Sequence, residues 1–569
     1  MATPATTTVE LTDRELRLKN LLLDVAAFID KNGEAHDGAA AAAEGSVVPH
    51  ESLVLRWAGG WVRDKLLGQA SHDIDTAINV MTGFAFARQM QAFCEDPANT
   101  ARHGMVDSDL GSLHKVEANP DKSKHLETAT VRIFDMDVDF VNLRKETYAA
   151  DSRNPQMEFG TAEEDALRRD ATVNALFYNL STDLVEDFTG GLDDMAAKRI
   201  KTPLEPLQTF TDDPLRVLRL VRFSSRLQFT IDPAVEDVMA DPRVLDALRL
   251  KISRERVGIE VEKMLKGKHP RDALALIDRL GLYHAIFTDS IAEAAETAET
   301  AISQPSLDGW ATVYECLHTL ADTKTPGSLY DVLVHTEEAQ YFAWVLAAIV
   351  PWVHVVPPPL PPPPPPPPPT KGKNKGNAGN LPSKPPPPPI VLALREGIRA
   401  PNKLCDVVNG AYKHREEILG LKQAVLDKKE PDIHERDRFG MAIRSWEARC
   451  SSWRLQVLFA LLFEVLVMAQ ATAPASPSQA QMERLMRDWQ MFLDHLEALD
   501  VMDAPHIKRL LDGKQVAAAL GIKPGRWMTA AMDMCMAWQL RNPDETDPAG
   551  AIEEVRQRKD EVGITEQLK

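Results

Sequence analysis

The sequence contains few cysteines, and their spacing offers no framework for covalent or metal cross-links. There are five cysteines in 569 residues, and no two of them form a C-x-x-C pair. This spacing argues against a disulfide-stabilised secreted domain and a cysteine-type zinc site, and it is typical of a reducing compartment. A chain of this length buries enough apolar surface to fold without such links.

Positive charge is also scarce. The 65 Lys and Arg residues face 84 Asp and Glu residues, which gives a formal net charge of -19 at pH 7. This balance argues against a protein coated in base for non-specific nucleic-acid binding. A local basic groove remains compatible with it, because salt screens exposed charges over about 8 Å at physiological ionic strength.

Long apolar runs are missing as well. The run over residues 455–469 is interrupted by Glu464 and falls short of the ~20 apolar residues that a bilayer span needs. We therefore expect a buried helix there and no membrane partner. The first thirty residues carry several carboxylates and no apolar core before a cleavage site, which argues against a secretory signal. We expect the cytoplasm and nucleus, with an alternative upstream start as the route to a mitochondrial form.

The composition and the hydrophobic periodicity of the sequence change along the chain. Residues 1–50 hold one amphipathic stretch and an Ala/Gly/Glu-rich piece. From Leu53 to about Phe188, helical patterns alternate with short β-rich runs, namely LVLRW, DIDTAINV, VRIFDMDVDFVNL, ALFYNL and LVEDF. This alternation predicts an α/β unit that contains a sheet. From Pro206 onward only helical patterns of ten to twenty residues are found, so we expect the remainder to be all-α.

Residues 357–389 contain long proline runs around the segment TKGKNKGNAGN. Proline fixes φ and removes a donor, so this segment predicts polyproline II and flexible linker. One interpretation is a docking site for a proline-binding domain. We favour a tolerated surface insertion between two helices, because lengthening a loop costs little entropy.

The strongest chemical signal lies over residues 53–80, where the order is strand, Gly59-Gly60 turn, helix and second strand. The glycines allow a phosphate to approach the backbone, and the helix start offers free N–H groups. Asp73 and Asp75 share one face of the second strand because side chains i and i+2 point the same way. Such a carboxylate pair suits two Mg²⁺ ions that also bind substrate phosphates, although D-x-D alone is common on solvated strand ends.

This segment, with its GGWVRD and HDID motifs, resembles the signature of the nucleotidyltransferase superfamily related to DNA polymerase β. Within that superfamily it is similar to class II tRNA nucleotidyltransferases, the CCA-adding enzymes, and to their poly(A) polymerase relatives. Later segments resemble the family's further motifs in order, and they are MDVDFVNLRKETY with EFGTAEEDALRRDATVNALFYNL, DFTGGLDDMAAKRIKTP, DDPLRVLRLVRFSSRL and ISRERVGIEVEKML. A weaker match, LLDGKQVAAALGIKPGRWM, is similar to the C-terminal segment of eukaryotic members.

The resemblance implies a polymerase β-like nucleotidyltransferase head of mixed sheet and helices, followed by an all-α neck, body and tail. Its expected parts are the catalytic head over 51–195, the nucleotide-base and RNA-binding neck over 196–290, the body over 291–356, and the tRNA-binding body and tail over 390–569. Gly59, Gly60, Arg63 and Asp64 are expected to shape the phosphate pocket.

The R-R-D motif suggests a triphosphate clamp, because the guanidinium groups of Arg168 and Arg169 bind oxygens bidentately. The resemblance implies that Asp170 and Asn174 face the ribose and phosphates, with Asp170 helping to select a 2′-OH. A surface ion-pair cluster, worth under ~1 kcal/mol, is the alternative for R-R-D.

Asp213 and Arg216 stand at i and i+3, so we expect them to be neighbours on one helix face. Such a pair offers an acceptor and a donor fork to the Watson–Crick edge of C or A and rejects U and G. The resemblance implies this base-reading role. Asp212 stands where many bacterial members have Glu. An ordinary helix ion pair is the alternative.

Two further groups follow. Asp139, at i+2 from Asp137, stands where polymerase β-type sites carry a third carboxylate that binds metal or acts as a base; edge-strand charge is the alternative. Arg144 and Arg153 could belong to a loop beside the nucleotide, and His72 could support Asp73. The remaining basic residues form two strips that suit the triphosphate and an RNA 3′ end, and they include Arg219 and Arg222 in the first strip and Arg254, Arg256, Lys263 and Lys266 in the second. A solvated charged face is the alternative for the second strip.

The expected activity is therefore addition of CMP, CMP and AMP from CTP and ATP to tRNA 3′ ends, with two Mg²⁺ ions and release of pyrophosphate. A poly(A) polymerase, or an A-only or CC-only adding enzyme, is the alternative within the same family. A tRNA-binding protein with an inactive transferase fold is disfavoured, because adjacent carboxylates give a binding module no advantage.

Overall fold

The computed structural model describes residues 8–32, 52–71, 73–116, 128–147, 156–288, 304–356, 387–427, 435–447 and 452–564. The chain divides into two compact units. Unit one comprises Met1–Arg256 with Leu280–Ala285, and unit two comprises Val257–Arg279 with Ile286–Lys569. The proline runs over 357–386, and the docking or insertion role expected for them, lie outside the described residues.

Unit one is built on a seven-stranded mixed sheet with the strand order β3-β4-β5-β2-β1-β8-β9. Its strands are β1 Leu55–Ala58, β2 Asp73–Ile78, β3 His114–Val116, β4 Thr128–Ile133, β5 Met136–Asn142, β8 Leu176–Asn179 and β9 Leu184–Asp187. Strands β2 and β5 are parallel, whereas the other neighbouring pairs are antiparallel. The sheet thus brings the first aspartate strand beside a strand from a distant part of the chain.

The run VRIFDMDVDFVNL forms two strands instead of one. A tight turn at Phe134 and Asp135, whose φ values are 49° and 62°, reverses the chain between β4 and β5. Both residues adopt the left-handed backbone region that turns of short hairpins require. The turn contains no Asn-Gly or Asp-Gly pair, which is the usual sequence signal of a short hairpin. The sequence pattern therefore shows one continuous β-rich run.

The helices of unit one cover the sheet and extend the chain beyond it. They are α1 Asp13–Asn32, α2 Gly60–Leu66, α3 Gly83–Cys94, α4 Pro97–Arg102, α5 Ala162–Leu167, α6 Gly191–Ala196, α7 Pro206–Asp212, α8 Leu215–Leu227, α9 Pro233–Met239 and α10 Pro242–Lys251. Helix α11 Arg254–Leu265 begins in this unit, and α13 Tyr283–Ile286 ends outside it. The amphipathic stretch expected near the N-terminus is confirmed as α1.

Aromatic side chains anchor the site strands in the core. Trp57 on β1, Trp61 on α2 and Tyr178 on β8 are buried and stack with centroids 4.6–6.0 Å apart. On another part of the sheet, Phe86 of α3 packs on Phe140 of β5 at 5.1 Å. Aromatic pairs of this kind add about 0.5–1.5 kcal/mol beyond the apolar area they bury. The central strands beside and around the aspartates are therefore held by aromatic packing on the sheet.

Four short strands lie outside the main sheet, and the sequence pattern does not predict them. One antiparallel pair is β6 Arg144–Thr147 with β7 Gln156–Phe159, and one parallel pair is β10 Arg199–Ile200 with β11 Thr230–Ile231. The expectation of only helices after Pro206 is thus wrong at β11. A strand of two residues, such as β10 or β11, is too short to show an alternating pattern. Its pairing partner also lies about thirty residues away in the chain, so no local hairpin signal marks it.

Unit two is helical throughout the residues that the structure describes. Its helices are α12 Pro270–Arg279, α14 Trp310–Asp322, α15 Leu329–Leu333, α16 Glu337–Ile349, α17 Pro389–Gly397, α18 Asn402–Asp427, α19 Arg436–Trp446, α20 Trp453–Thr472, α21 Gln479–Ala498, α22 Gly513–Leu520, α23 Met528–Arg541 and α24 Ala549–Gln557. An α/β head followed by a helical remainder is therefore confirmed.

Helix α20 contains the apolar run singled out above. Among the described residues it is the one helix that is long and apolar enough to cross a membrane, and 61% of its most apolar window is buried inside the protein. It packs against α14, α16 and α18. The expected buried helix is confirmed, because most of its apolar side chains lie inside the protein.

Candidate active site

The turn between β1 and α2 depends on Gly59. Its backbone has φ 69° and ψ -123°, a conformation that only glycine adopts readily. A Cβ at this position would lie 2.6 Å from Nη1 of Arg169. Gly60 has ordinary space around it, with its nearest neighbour at 3.6 Å. Gly59 is therefore required both for the turn and for the close approach of an arginine.

The parallel register of β2 and β5 aligns four carboxylates in two rows. Asp73 stands opposite Asp137, and Asp75 stands opposite Asp139. Asp139 also accepts a hydrogen bond from Oγ1 of Thr130 at 2.6 Å. The structure thus brings Asp139 beside the D-x-D pair, as the resemblance implies.

The carboxylates of Asp73, Asp75 and Asp139 repel one another. Asp75 faces solvent, but surrounding protein atoms desolvate it and raise its pKa, with Arg169 opposing the shift and Asp139 and Asp73 adding to it. Repulsion between close carboxylates is relieved when a cation binds between them. The cluster has the electrostatic character of a cation site.

The donor set fits magnesium with help from substrate. Mg²⁺ is commonly held by one or two carboxylates, with phosphate oxygens and water completing its octahedron. Among the described residues, no group of three or more His, Cys, Asp or Glu side chains is arranged closely enough to hold a metal by itself. Asp73 and Asp75 would hold the cation, and a nucleotide would supply further oxygens.

The two arginines of the R-R-D motif both contact a carboxylate that sequence reasoning missed, Asp165 on α5. Arg168 donates to its Oδ1 from Nε at 3.0 Å and from Nη2 at 2.5 Å. Arg169 approaches its Oδ2 with Nε at 3.1 Å and Nη2 at 3.0 Å. Nη1 of Arg169 donates to the carbonyl of Asn174 at 3.0 Å, and its guanidinium lies over Phe177.

A second carboxylate that sequence reasoning missed, Glu146 on β6, holds three guanidinium groups. Its oxygens lie 3.1 Å from Arg168, 3.3 Å from Arg144 and 3.8 Å from Arg216. Burial and the neighbouring Arg168 lower the pKa of Arg144 to about 10. Arg144 thus belongs to a strand and not to a loop, while Arg153 and His72 lie outside the described residues.

Arg63 and Asp64 are buried rather than exposed to a phosphate. Nε of Arg63 donates to Oδ1 of Asp64 at 2.8 Å, and its Nη1 donates to Oδ1 of Asn174. Arg226 pairs with the other oxygen of Asp64 at 2.9 Å. Burial lowers the pKa of Arg63, and Asp64 counters the effect. Their contribution to the pocket is to tie α2 to the segment around Asn174.

Asp170 and Asn174 form one hydrogen-bonded unit with α8. Nδ2 of Asn174 donates to Oδ1 of Asp170 at 3.0 Å, and Nε of Arg219 donates to Oδ2 at 2.5 Å. Although burial opposes it, the charge of Arg219 and these hydrogen bonds hold the pKa of Asp170 well below its usual range. Asp170 is therefore a fixed anion beside the arginine cluster, by which we mean Arg144, Arg168, Arg169 and Arg216.

Asp213 and Arg216 do not share a helix. Helix α8 begins at Leu215, and Asp213 lies before it, where its Oδ1 accepts from the backbone N–H of Leu215 at 3.2 Å. Its Oδ2 accepts from Nη2 of Arg256 at 2.9 Å, while the buried Arg216 faces Glu146. The expected side-by-side pair on one helix face is wrong, because Pro214 follows Asp213 and α8 starts after this proline.

The strip residues occupy different environments. Arg222 lies over Phe223 with 4.4 Å between its guanidinium carbon and the ring centroid. Arg254 is buried and donates to the carbonyls of Ala285 at 2.8 Å and Arg249 at 3.3 Å. This interior position indicates a structural role for Arg254, which a count of basic residues could not reveal.

Two strip residues lie in unit two. Lys263 is exposed on α11, and Lys266 is exposed in the turn directly after this helix. Lys266 pairs with Glu262 at 2.5 Å, and its ammonium group lies 5.0 Å from the ring centroid of Tyr341. Their exposure is what an RNA-contacting strip requires.

The fold and the site together define a nucleotidyltransferase. A family model for the poly A polymerase head domain matches residues 55–201, and one for the probable RNA- and SrmB-binding site of polymerase A matches residues 228–293. These two matches cover the sheet with its aspartates and the helices that follow α8.

Full-length relatives narrow the class. The chain is 34% identical to the mitochondrial CCA tRNA nucleotidyltransferase of Candida glabrata, over 95% of this chain and 94% of the relative. It is 35% identical to that of Saccharomyces cerevisiae over 87% of each chain. It is also 52% identical to the nucleotidyltransferase lcsQ of Purpureocillium lilacinum, over 98% and 93%. The chain belongs to the CCA tRNA nucleotidyltransferase family.

Solved structures support the same fold. A CCA-adding enzyme in its apo form II matches with a TM-score of 0.57 at 16% identity, covering 95% of this chain and 96% of the other. The Thermotoga maritima CCA-adding enzyme complexed with tRNA matches with a TM-score of 0.55 at 16% identity, covering 98% and 100%. The head and the helical remainder thus share one architecture with these enzymes.

Proposed function

We propose that this chain, as a member of that family, adds CMP, CMP and AMP in turn to the 3′ end of tRNA, using CTP and ATP without a nucleic-acid template. Each step joins the terminal 3′-oxygen to the α-phosphorus and releases pyrophosphate. The observation that carries the proposal is the register of β2 and β5, which aligns Asp75 with Asp139 in a sheet whose flank carries the arginine cluster.

Asp73 and Asp75 are the proposed ligands of two Mg²⁺ ions, with Asp139 as a further ligand or as the base. Bound magnesium would supply activation of the terminal hydroxyl and neutralisation of the triphosphate. The carboxylates of Asp73 and Asp75 project from the same face of β2. They would therefore hold the terminal hydroxyl and the triphosphate on one side of the sheet. Oδ1 of Asp139 accepts from Thr130 on β4, which restricts the rotation of this carboxylate.

The arginine cluster is the proposed triphosphate clamp. Four guanidinium groups, on Arg144, Arg168, Arg169 and Arg216, are held together by two shared carboxylates, on Glu146 and Asp165. Arg169 also opposes the rise in the pKa of Asp75, so the cluster acts on the D-x-D pair as well. Fixed donors of this kind stabilise the charge that develops on transferred phosphoryl groups.

Asp213 and Arg216 are the proposed readers of the base, and Asp170 with Asn174 the proposed contacts of the ribose. In the structure each reader is held by a different partner, Asp213 by Arg256 and Arg216 by Glu146. A cytosine or adenine edge would take the acceptor of Asp213 and the donors of Arg216 in exchange. The proposed reading is by a carboxylate and a guanidinium that come from the two sides of Pro214.

The proposed division of labour along the chain follows the family. The head over 51–195 carries the chemistry, the neck over 196–290 the base and RNA contacts, and the helical segments over 291–356 and 390–569 hold the tRNA by shape and phosphate contacts. Residues 196–290 contribute to both compact units. Arg256, Lys263 and Lys266 are the proposed RNA contacts, whereas the buried Arg254 supports the fold.

Incorporation into a tRNA that lacks its last three bases tests the activity. The wild-type protein with Mg²⁺ should add two C residues from CTP alone and a final A only when ATP is also present. Long A tails from ATP alone would indicate the alternative, a poly(A) polymerase. Addition of only C or only A would indicate a partial adding enzyme of the same family.

Substitution of the strand aspartates tests the metal assignment. Asp73→Ala and Asp75→Ala should each reduce incorporation by at least roughly a thousandfold, because removal of a metal ligand removes transition-state stabilisation. Binding of tRNA, measured by gel shift, should be unchanged. Asp135→Asn, an exposed carboxylate on the β4–β5 turn, is the control and should retain activity. Substantial turnover by both alanine variants would contradict the assignment.

We propose that the protein serves mitochondrial tRNA as well as tRNA in the cytoplasm and nucleus. Support comes from the two yeast relatives whose names carry the word mitochondrial. Fractionation of cells that express the tagged gene from its own locus, upstream region included, tests this distribution. Absence of the tagged protein from purified mitochondria would contradict it.

A further inference from the structure

Among the residues that the structure describes, Asp165 is the one carboxylate that forms ion pairs with both arginines of the R-R-D motif. Its side chain is 2% exposed, and each of its two oxygens accepts from a different guanidinium. Oδ1 also accepts from the backbone N–H of Arg144 at 3.2 Å. All its lone pairs are thus directed at the arginine cluster, and none is directed at solvent.

The helix that carries Asp165 is locked in place. A capping box between Thr161 and Glu164 starts α5, with hydrogen bonds of 3.2 Å and 2.9 Å. Before it, Gly160 approaches β6 so closely that a Cβ would lie 2.7 Å from the backbone of Arg144. The backbone position of Asp165 is therefore fixed independently of the arginine side chains, and the backbone N–H of Arg144 also holds its carboxylate.

The arginines keep donors to spare. A guanidinium carries five N–H groups, and the described contacts engage three nitrogen atoms of each side chain. Each guanidinium thus retains about two N–H groups for a further acceptor. Because Asp165 takes one edge of both Arg168 and Arg169, it decides which way the remaining donors point.

We propose that Asp165 is a positioning residue that pre-orients Arg168 and Arg169 for the triphosphate of CTP and ATP. The inference rests on the proposed function, in which these arginines form the triphosphate clamp. Burial alone would raise the pKa of Asp165, but Arg169 and Arg168 outweigh it and keep the pKa below its usual value. The carboxylate is thus ionised whenever a nucleotide binds.

The substitution Asp165→Asn keeps the shape and replaces an acceptor oxygen by an NH₂ donor. One arginine then loses its acceptor and faces another donor, so the pair reorients. Charge-assisted hydrogen bonds of this kind correspond to roughly a tenfold effect on binding or more. We expect KM for CTP and for ATP to rise by about that factor, while kcat and the affinity for tRNA change less.

Inhibitors that mimic parts of the nucleotide substrate separate positioning from general damage to the pocket. Inorganic tripolyphosphate reaches only the clamp, and CMP reaches the ribose and base contacts. In Asp165→Asn the inhibition constant of tripolyphosphate should rise roughly tenfold, and that of CMP should stay unchanged. Glu163→Gln, the same chemical change at an exposed position of α5, is the matched control and should behave as wild type.

The outcomes are distinct. An unchanged tripolyphosphate constant in Asp165→Asn, or an equal rise for CMP, would overturn the inference. If Asp165→Asn does not fold, Asp165→Glu decides, because it keeps the charge but displaces the carboxylate by one methylene. We expect a several-fold weaker tripolyphosphate affinity, and an unchanged one would overturn the inference. Failure of the wild-type protein to add CCA would instead contradict the proposed function.

Discussion

At the scale of single residues, Gly59 is restricted both by its backbone conformation and by its surroundings. Its positive φ excludes other residues, and the space that a Cβ would need is filled by Arg169. Gly59→Ala should lower the free energy of unfolding by about 1–3 kcal/mol. It should also reduce incorporation at least roughly tenfold, because a Cβ displaces Arg169 from the clamp. Thermal unfolding and the CTP assay measure the two effects.

The control for this variant is Gly68→Ala. Gly68 has almost the same positive φ, 68°, but nothing lies within 4 Å of the place where its Cβ would be. It should show the loss of stability without the loss of activity. Equal loss of activity in both variants would indicate that strain alone, and not the position of Arg169, matters.

Arg216 is the second residue with a sharp prediction. Arg216→Ala removes the donor fork proposed to read the base, so incorporation of UMP and GMP should approach that of CMP and AMP within about tenfold. Competition between labelled nucleotides measures the ratio. Arg243→Ala, at an exposed arginine paired with Asp241, is the control. Unchanged selectivity with lower activity would contradict base reading.

The residue chemistry could be predicted only in part. The sequence motifs singled out Asp73, Asp75, Arg168 and Arg169 as candidate site residues, because their spacing suits metal and triphosphate binding. Asp165 and Glu146 were missed, since an acidic residue among basic ones resembles ordinary charge alternation. What makes these two residues important is that several arginines meet on each, and this depends on the packing of α5 and β6.

At the scale of elements, the β4–β5 turn is a place where the sequence does not suit the backbone. Asp135 adopts φ 62° without being glycine. Asp135→Gly should therefore raise the free energy of unfolding by up to about 1 kcal/mol, since glycine occupies this region without steric cost. Chemical denaturation measures the change. The activity should remain that of the wild type. A loss of stability would show that the contacts of the Asp135 side chain stabilise the protein by more than the strain of its positive φ destabilises it.

Element prediction succeeded where a strand or helix carries its own periodicity. Helix α1 and strands β1, β2, β8 and β9 were all expected from local pattern. The short strands β3, β6 and β7 were not, because their sequences HKV, RKET and QMEF contain mostly polar residues and no apolar run. They form because an existing sheet edge or a neighbouring strand supplies partners, which is tertiary information.

At the scale of the whole molecule, the proline-rich segment separates two elements that pack on each other. The turn of helix over Val350–His354 contacts α17, which begins at Pro389. Replacement of residues 357–386 by a short Gly/Ser linker should therefore leave kcat/KM within about twofold, since shortening a loop changes its closure entropy little. A large loss of CCA addition would show that the segment takes part in catalysis or tRNA binding.

The division into two units also explains which parts of the function could be predicted. The head could be assigned from motifs, because its chemistry is concentrated in residues that neighbour one another in sequence. The helical units could be assigned only as a fold class, since helices that recognise a nucleic acid by shape carry no short signature. Lys263 and Lys266 therefore remain predictions, based on charge and exposure.

The register between β2 and β5 has a consequence for protein synthesis. Asp75 and Asp139 are neighbours in the sheet, but 64 positions separate them in the chain. A ribosome that stalls within this interval releases a polypeptide with the D-x-D pair and without its partner strand. Under the proposed mechanism such a fragment cannot spend CTP or ATP or modify a tRNA. Under that mechanism, translation products that end between Asp75 and Asp139 consume no nucleotide, and no dedicated inhibitor is needed for them.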